Sequence, residues 1–226
     1  MHPAVLVVLA YLIGSVPFGF LVGKARGVDL RQVGSGNIGS TNIYRALGLP
    51  LAVMVFLLDA GKGLLATRGL PILAAGGTDI GYVRLACGLA VIVGSVASIF
   101  MRLKGGKGVA TGAGVFLGLA PLAAVLCIGV WAALVAAFKY VSLGSLVAAA
   151  LLPLLVALFN RPGYYRNPVF YLALAVAAVV IVRHRSNIAR LAAGEEHKVG
   201  RGARMGSPTG DQAGRGAAAQ PTHKEA

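Results

Sequence analysis

Residues 109–138 read VATGAGVFLGLAPLAAVLCIGVWAALVAAF and contain no charged side chain. As one α-helix this stretch would be about 45 Å long, whereas the hydrocarbon core of a bilayer is about 30 Å thick. Pro121 lies inside the stretch, and a proline in a helix interior breaks or kinks the helix. We therefore predict two membrane-spanning segments here, a short one over 109–119 and a full one over 121–138.

The chain as a whole is rich in apolar segments: 57% of its 226 residues are hydrophobic and only 12% are charged. This composition is typical of helical membrane proteins, whose spans need about 20 apolar residues each. We predict an all-α integral membrane protein with seven transmembrane helices, one of them short, in one domain over 1–199. Residues 200–226 lack apolar periodicity, which predicts a disordered tail. The five other spans are expected at 3–23, 49–67, 80–101, 142–159 and 168–183.

The cationic residues predict how these spans are oriented. Loops on the cytoplasmic side of a membrane carry an excess of Lys and Arg. With seven spans, the polar segments 24–48 and 102–108 and the segment after Arg183 all fall on one side. Six spans would put the basic first loop and the basic tail on opposite sides. We therefore expect the N-terminus outside and Gly-rich loops in the cytoplasm. The net charge of +14 then reflects this bias and contact with anionic lipid rather than with nucleic acid. Binding of an anionic substrate is the alternative explanation for part of this charge.

The first loop contains the stretch GSGNIGSTNIYR over 34–45. Its glycines let the backbone approach a ligand closely, and consecutive N–H groups form a nest that binds phosphate. Small polar side chains add donors, and Arg45 can add a charge-assisted hydrogen bond. The alternative is a flexible loop built from turn residues.

A second Gly-rich segment, KGGKGVAT over 104–111, combines backbone access with lysine charges. It does not match the P-loop pattern GxxxxGK[ST]. It opens a predicted helix, and the N-terminus of a helix favours an anion. The alternative is a basic cytoplasmic loop that only follows the charge rule.

Two further groups contain residue types that serve in catalysis or ligand binding. His184 and Asn187 share one face of a predicted helix after the last span, on the same side of the membrane as Ser142. Ser142 either donates to a substrate or caps its helix. Asp59 and Lys62 lie three residues apart within a predicted span, where they either neutralise each other or serve a function.

Two phosphate-seeking loops at a lipid boundary suggest phosphorylated substrates, one of them lipid-linked. A transporter of phosphorylated small molecules is the rival class.

Several segments together resemble the PlsY family, the bacterial acyl-phosphate:glycerol-3-phosphate acyltransferases. They are YLIGSVPFG (11–19), GSGNIGSTNIYRALG (34–48), Asp59-x-x-Lys62-Gly63, KGGKGVATG (104–112), Lys139-x-x-Ser142-Leu-x-Ser145 and RHRSNIARLAAGEEHK (183–198).

The resemblance implies transfer of a fatty acyl group from acyl phosphate to the 1-hydroxyl of glycerol 3-phosphate, giving lysophosphatidic acid and phosphate, the first step of phospholipid synthesis. It implies a bacterial inner-membrane enzyme without metal or organic cofactor, with its site on the cytoplasmic face. We expect a monomer that is functionally coupled to the enzyme forming acyl phosphate. The same transfer from a thioester donor is the alternative.

The resemblance also implies roles for individual residues. Arg45 and Lys104 would hold the glycerol phosphate, and Ser142, His184 and Asn187 would surround the attacking hydroxyl. Its proton would go to His184 or, as we favour, to a substrate phosphate, because no carboxylate lies near His184 in the sequence. The first phosphate motif comprises Ser35, Gly36, Asn37, Gly39, Thr41 and Asn42, and the second, facing the acyl phosphate, comprises Gly105, Gly106, Lys107, Gly108 and Thr111.

Overall fold

A computed structural model describes residues 1–159 and 167–200. The secondary structure of these residues is helical, with no β-strand among them, and the predicted all-α fold is thereby confirmed. The tail predicted over 200–226 lies, from residue 201 onward, outside the described residues. The helices are α1 (Pro3–Ser15), α2 (Phe18–Ala25), α3 (Ser40–Leu47), α4 (Leu49–Leu64), α5 (Ile80–Val96), α6 (Val109–Leu119), α7 (Pro121–Phe138), α8 (Val141–Phe159), α9 (Pro168–Arg183) and α10 (Arg185–Ala192).

Five helical segments of the described chain are long and apolar enough to cross a membrane, at Pro3–Ala25, Leu49–Leu73, Ile80–Met101, Pro121–Phe138 and Val141–Phe159. α9 makes a sixth only together with α10, from which it bends by 59°. α6 has eleven residues and therefore reaches only about half-way through the hydrocarbon core. The count of seven transmembrane helices depends on α6 and α9 and stays a prediction.

The break predicted at Pro121 is present. α6 ends at Leu119 and α7 begins at Pro121, with Ala120 between them in a non-helical conformation. Another break was not predicted: the expected helix over 3–23 is interrupted at Val16 and Pro17, between α1 and α2. Proline has no N–H, so it cannot continue the hydrogen-bond ladder of a preceding helix. At this second break the carbonyls of Ser15 and Val16 accept hydrogen bonds from side chains of other segments.

Glycines bring the membrane helices into backbone contact. A Cβ atom at Gly63 of α4 would overlap backbone atoms of Thr111 and Val115 of α6, and one at Gly94 of α5 would overlap backbone atoms of α1. In lipid, helix association depends on close packing rather than on the hydrophobic effect, so small residues are favoured at such contacts. The contact between α4 and α6 fixes the start of α6, and with it the Gly-rich loop before it.

The first loop has a small core of its own. Leu30 in the loop and Ile43 of α3 are fully buried against Ala52 and Val55 of α4. Burying such apolar side chains stabilises a fold by about 1.5–3 kcal/mol each. The polar stretch 34–42 is therefore held between α2, α3 and α4.

Candidate active site

One cleft of about 1010 Å³, its mouth included, brings most of the predicted site residues together at one end of the helix bundle. Its walls also include residues from the α1–α2 break, α4, α5 and α7. Three predicted residues, Gly36, Lys104 and Gly105, do not line it. The predicted residues that do line it are Ser35, Asn37, Gly39, Thr41, Asn42, Arg45, Gly106, Lys107, Gly108, Thr111, Ser142, His184 and Asn187.

Asn42 shapes the first loop from inside. Its buried side chain accepts a hydrogen bond from the Ser35 N–H at 3.1 Å and donates to the carbonyls of Leu30 at 3.0 Å and Val33 at 2.9 Å. Both amide hydrogens are thus used within the loop. The prediction that the Asn42 side chain donates to a ligand is corrected: Asn42 positions the backbone that would do so.

Arg183 fixes the second loop. Its guanidinium donates to the carbonyls of Gly105 at 2.7 Å and Gly106 at 2.9 Å, while the N–H groups of these glycines donate to α5 carbonyls. A Cβ atom at Gly105 would collide with the α5 backbone, so this position needs glycine. Sequence patterns assigned Arg183 only a place in the charge rule and in the motif over 183–198. The close approach to α5 gives Gly105 a packing role.

The two lysines of the second loop face different surroundings. The Lys104 side chain is exposed and lies outside the cleft. The Lys107 side chain is partly buried in the cleft wall and donates to Asn187 Oδ1. Lys107 thus faces the cleft directly, and the contact of Lys104 with the glycerol phosphate stays a prediction.

Positive charge is concentrated in the cleft. Burial lowers the pKa of Lys107 to about 8, and the nearby guanidinium groups of Arg190, Arg45 and Arg183 act in the same direction, against the opposing charge of Glu196. Burial likewise lowers the pKa of Arg45. Both shifts arise where charged groups lose water and crowd like charges. Bound anions would relieve this crowding.

Glu196 is a cleft residue that the sequence patterns did not single out as part of the site. It is buried, lines the cleft, and its Oε1 accepts hydrogen bonds from Ser142 Oγ at 3.1 Å and Asn187 Nδ2 at 2.8 Å. Its Oε2 accepts from Arg190 Nε at 2.9 Å. The available signal was a carboxylate in a cationic segment that already matched a family motif.

His184 directly follows α9 and is held by a backbone carbonyl. Its Nδ1 lies 2.8 Å from the Val180 oxygen, and because a carbonyl only accepts, Nδ1 carries the proton and Nε2 is left as an acceptor. Burial, and secondly the Lys107 charge, lower the pKa of His184 to about 4. His184 is therefore neutral at physiological pH.

The polar cleft continues into an apolar groove of about 660 Å³. The two share the walls formed by Phe56, Gly108, Val109, Trp131 and Ser145. Beyond these, the groove is lined almost entirely by apolar residues of α6, α7, α8 and α9. Trp131 stacks on Phe56 where the two meet, with ring centroids 6.4 Å apart. A ligand with an anionic head and an apolar chain fits this combination.

A helical membrane bundle with a cationic, Gly-walled cleft that opens into an apolar groove defines a class of membrane protein that handles phosphorylated, lipid-linked molecules. A family model described as "Glycerol-3-phosphate acyltransferase" matches residues 4–194. The chain belongs to the glycerol-3-phosphate acyltransferase family.

Curated relatives with that name include one from Trichlorobacter lovleyi, 47% identical over 84% of this chain and 93% of the relative. Another, from Geobacter sulfurreducens, is 43% identical over 88% and 98%. Among solved structures, PlsY (YgiH), an integral membrane glycerol 3-phosphate acyltransferase, is similar in its glycerol 3-phosphate form, with a TM-score of 0.77, 39% identity, and coverage of 88% of this chain and 96% of that chain. Its lysophosphatidic acid form gives a TM-score of 0.73 at 38% identity, covering 87% and 94%.

Proposed function

We propose that this protein transfers a fatty acyl group from acyl phosphate to the 1-hydroxyl of sn-glycerol 3-phosphate, releasing lysophosphatidic acid and inorganic phosphate. Membership of the family supports the reaction class and the acceptor. The observation that carries the proposal is the junction of a cationic cleft with an apolar groove. Such a junction accommodates two phosphate groups beside one acyl chain.

Catalysis by this site is chiefly a matter of bringing two anions together. Arg45 and Lys107 offset the repulsion between the two phosphates, and the N–H groups that open α6 add partial positive charge. Acyl phosphate is a mixed anhydride with a good leaving group. The bond between its acyl carbon and the phosphate oxygen breaks as the glycerol oxygen attacks, so no covalent enzyme intermediate is needed. Proximity and charge stabilisation supply most of the rate enhancement.

The proton of the attacking hydroxyl goes to a substrate phosphate in this mechanism. A histidine with a pKa of about 4 is a weak base at neutral pH. His184 instead accepts a hydrogen bond through Nε2 and orients the hydroxyl. Ser142 and Asn187, both bound to Glu196, form the adjacent wall. No step calls for a metal or an organic cofactor.

We also propose that the protein is a monomer in the bacterial inner membrane, with its N-terminus outside and the cleft open to the cytoplasm. In this proposal it is functionally coupled to the enzyme that forms acyl phosphate. The cations of the loops that line the cleft favour this orientation.

Both native cysteines are buried, so a Lys104→Cys variant offers one exposed thiol for labelling. We expect an impermeant maleimide to label it in inverted membrane vesicles but not in spheroplasts. Labelling in spheroplasts would overturn the orientation.

A donor competition tests the reaction itself. The purified protein in nanodiscs receives labelled glycerol 3-phosphate with palmitoyl phosphate, palmitoyl-coenzyme A or palmitoyl-carrier protein in separate reactions. We expect lysophosphatidate from palmitoyl phosphate alone. Product from a thioester would contradict the proposed donor. Absence of product with folded protein, together with uptake of glycerol 3-phosphate into proteoliposomes, would favour the transporter.

A further inference from the structure

A second polar group lines the cleft at the break between α1 and α2, apart from the cationic loops. Lys62 of α4 is buried, and its Nζ lies 2.7 Å from Asp59 Oδ1 and 3.2 Å from the carbonyl oxygen of Val16. At the break this carbonyl accepts hydrogen bonds both from the Phe18 N–H at 3.2 Å and from Lys62. Asp59 and Lys62 thus form an ion pair within the bundle.

Ser15, directly before the break, has an unused hydroxyl. It is fully buried, lines the cleft, and its Oγ has no hydrogen-bond partner among the described residues. A buried hydroxyl without a partner costs about 1–3 kcal/mol, so such groups are rare unless a ligand or water completes them. Its neighbour Ser98 differs, because the Ser98 Oγ already donates to the Ser15 carbonyl at 2.5 Å.

The remaining hydrogen-bonding capacity of this group indicates what it would bind. The Oδ2 atom of Asp59 and the Ser15 hydroxyl have no hydrogen-bond partner among the described residues. Lys62 keeps one ammonium hydrogen without an acceptor there, with its Nζ 5.7 Å from the centre of the Phe18 ring. Together they offer donors and acceptors. A hydroxyl group both donates and accepts, and therefore complements this set.

Charge separates this subsite from the phosphate-binding part of the cleft. The Asp59–Lys62 pair has no net charge, and Asp59 would repel a phosphate. Arg45 and Lys107, with the start of α6, supply the positive charge elsewhere in the cleft. A molecule that carries both a phosphate and neutral hydroxyls would place each at the matching part.

We propose that Ser15, Asp59 and Lys62 form a subsite for the secondary hydroxyl of the glycerol phosphate acceptor, the hydroxyl that does not react. This assignment rests on the proposed function. It makes Ser15 a determinant of acceptor specificity, because a site built to bind a hydroxyl discriminates against an analogue that lacks it.

The test compares sn-glycerol 3-phosphate with 3-hydroxypropyl phosphate, which keeps the primary hydroxyl and the phosphate but lacks the secondary hydroxyl. We measure kcat/KM for both acceptors with palmitoyl phosphate as donor. Where turnover of the analogue is too slow, its Ki against glycerol 3-phosphate is compared with the KM for glycerol 3-phosphate. For Ser15→Ala we expect kcat/KM for glycerol 3-phosphate to fall about tenfold and the value for the analogue to stay unchanged, so that the preference collapses.

Ser98→Ala is the matched control, because its hydroxyl is already satisfied, and it should leave the ratio between the acceptors as in the wild type. Ser15→Ala should also keep or raise the unfolding temperature of the ligand-free protein, since it removes an unsatisfied group. An equal loss on both acceptors, or a lowered unfolding temperature with an unchanged ratio, would overturn the subsite. A wild-type protein that acylates neither acceptor would instead overturn the proposed function.

Discussion

Ser142 at the start of α8 donates a hydrogen bond of 3.1 Å to Glu196, 54 residues further along the chain. The same carboxylate oxygen accepts from Asn187, whose own oxygen accepts from Lys107. Three segments that are far apart in the sequence are thereby joined at one wall of the cleft. Because Asn187 Nδ2 donates to Glu196, its amide oxygen is turned toward Lys107.

The first prediction concerns this network. Glu196→Ala should lower both the unfolding temperature and the activity, because it leaves Ser142, Asn187 and Arg190 without their acceptor, and buried polar groups that lose a partner are costly. The matched control is Glu195→Ala, since Glu195 is exposed and adjacent. Thermal unfolding in detergent measures the effect. Equal unfolding temperatures for the two variants would contradict the assignment.

The second prediction separates the two lysines of the second loop. Lys107→Met should reduce kcat/KM about ten- to hundredfold, the worth of a hydrogen bond to a charged group, whereas Lys104→Met should cost less than about threefold. Steady-state kinetics at saturating donor concentration measures both. A larger loss for Lys104→Met would instead support the contact with the glycerol phosphate that the sequence predicts for Lys104.

The third prediction is the pH dependence that Lys107 confers. Its pKa in the free protein is about 8, so the ammonium group is present below that pH and is lost as the pH rises through it. The value of kcat/KM, which reports the free enzyme, should therefore fall above pH 8. Lys107→Arg keeps its charge at these pH values and should abolish the decline. The same decline in both proteins would assign it to another group.

The fourth prediction concerns His184. Because its imidazole is already neutral above a pH of about 4, His184→Gln should keep most of kcat, and any acid limb between pH 5 and 7 should be the same in both proteins. Glutamine preserves an acceptor oxygen near the Nε2 position. A loss of kcat beyond about a hundredfold, with loss of the acid limb, would make His184 the general base.

The fifth prediction tests the contact that positions α6. Gly63→Ala should lower the unfolding temperature, because a Cβ atom there would overlap the backbone of α6. Gly61→Ala, two residues earlier in α4, adds a methyl group where no atom lies within 4 Å and should cause no loss. The comparison cancels the change in helix propensity. Equal stability of the two variants would show that α4 and α6 separate at little cost.

The sequence by itself determined the features that depend on local properties. Apolar segments of sufficient length predicted the helical membrane fold, because a backbone in lipid must satisfy its hydrogen bonds internally. Pro121 marked the break between α6 and α7, because proline lacks the N–H that continues a helix. The Gly-rich segments could be recognised because backbone access and positive charge are both visible in residue types.

Only the tertiary structure decided which of these residues face the cleft. Lys104 and Lys107 are equivalent by composition, and they differ because Arg183 and α5 fix the glycines between them. Glu196 acts on Ser142 and Asn187 through a fold-back of the segment after α10, which no periodicity predicts. The Ser15 hydroxyl became a candidate ligand contact only when its surroundings left it without a partner. Side-chain roles of this kind depend on contacts across many residues of chain, and such contacts follow from packing rather than from local sequence.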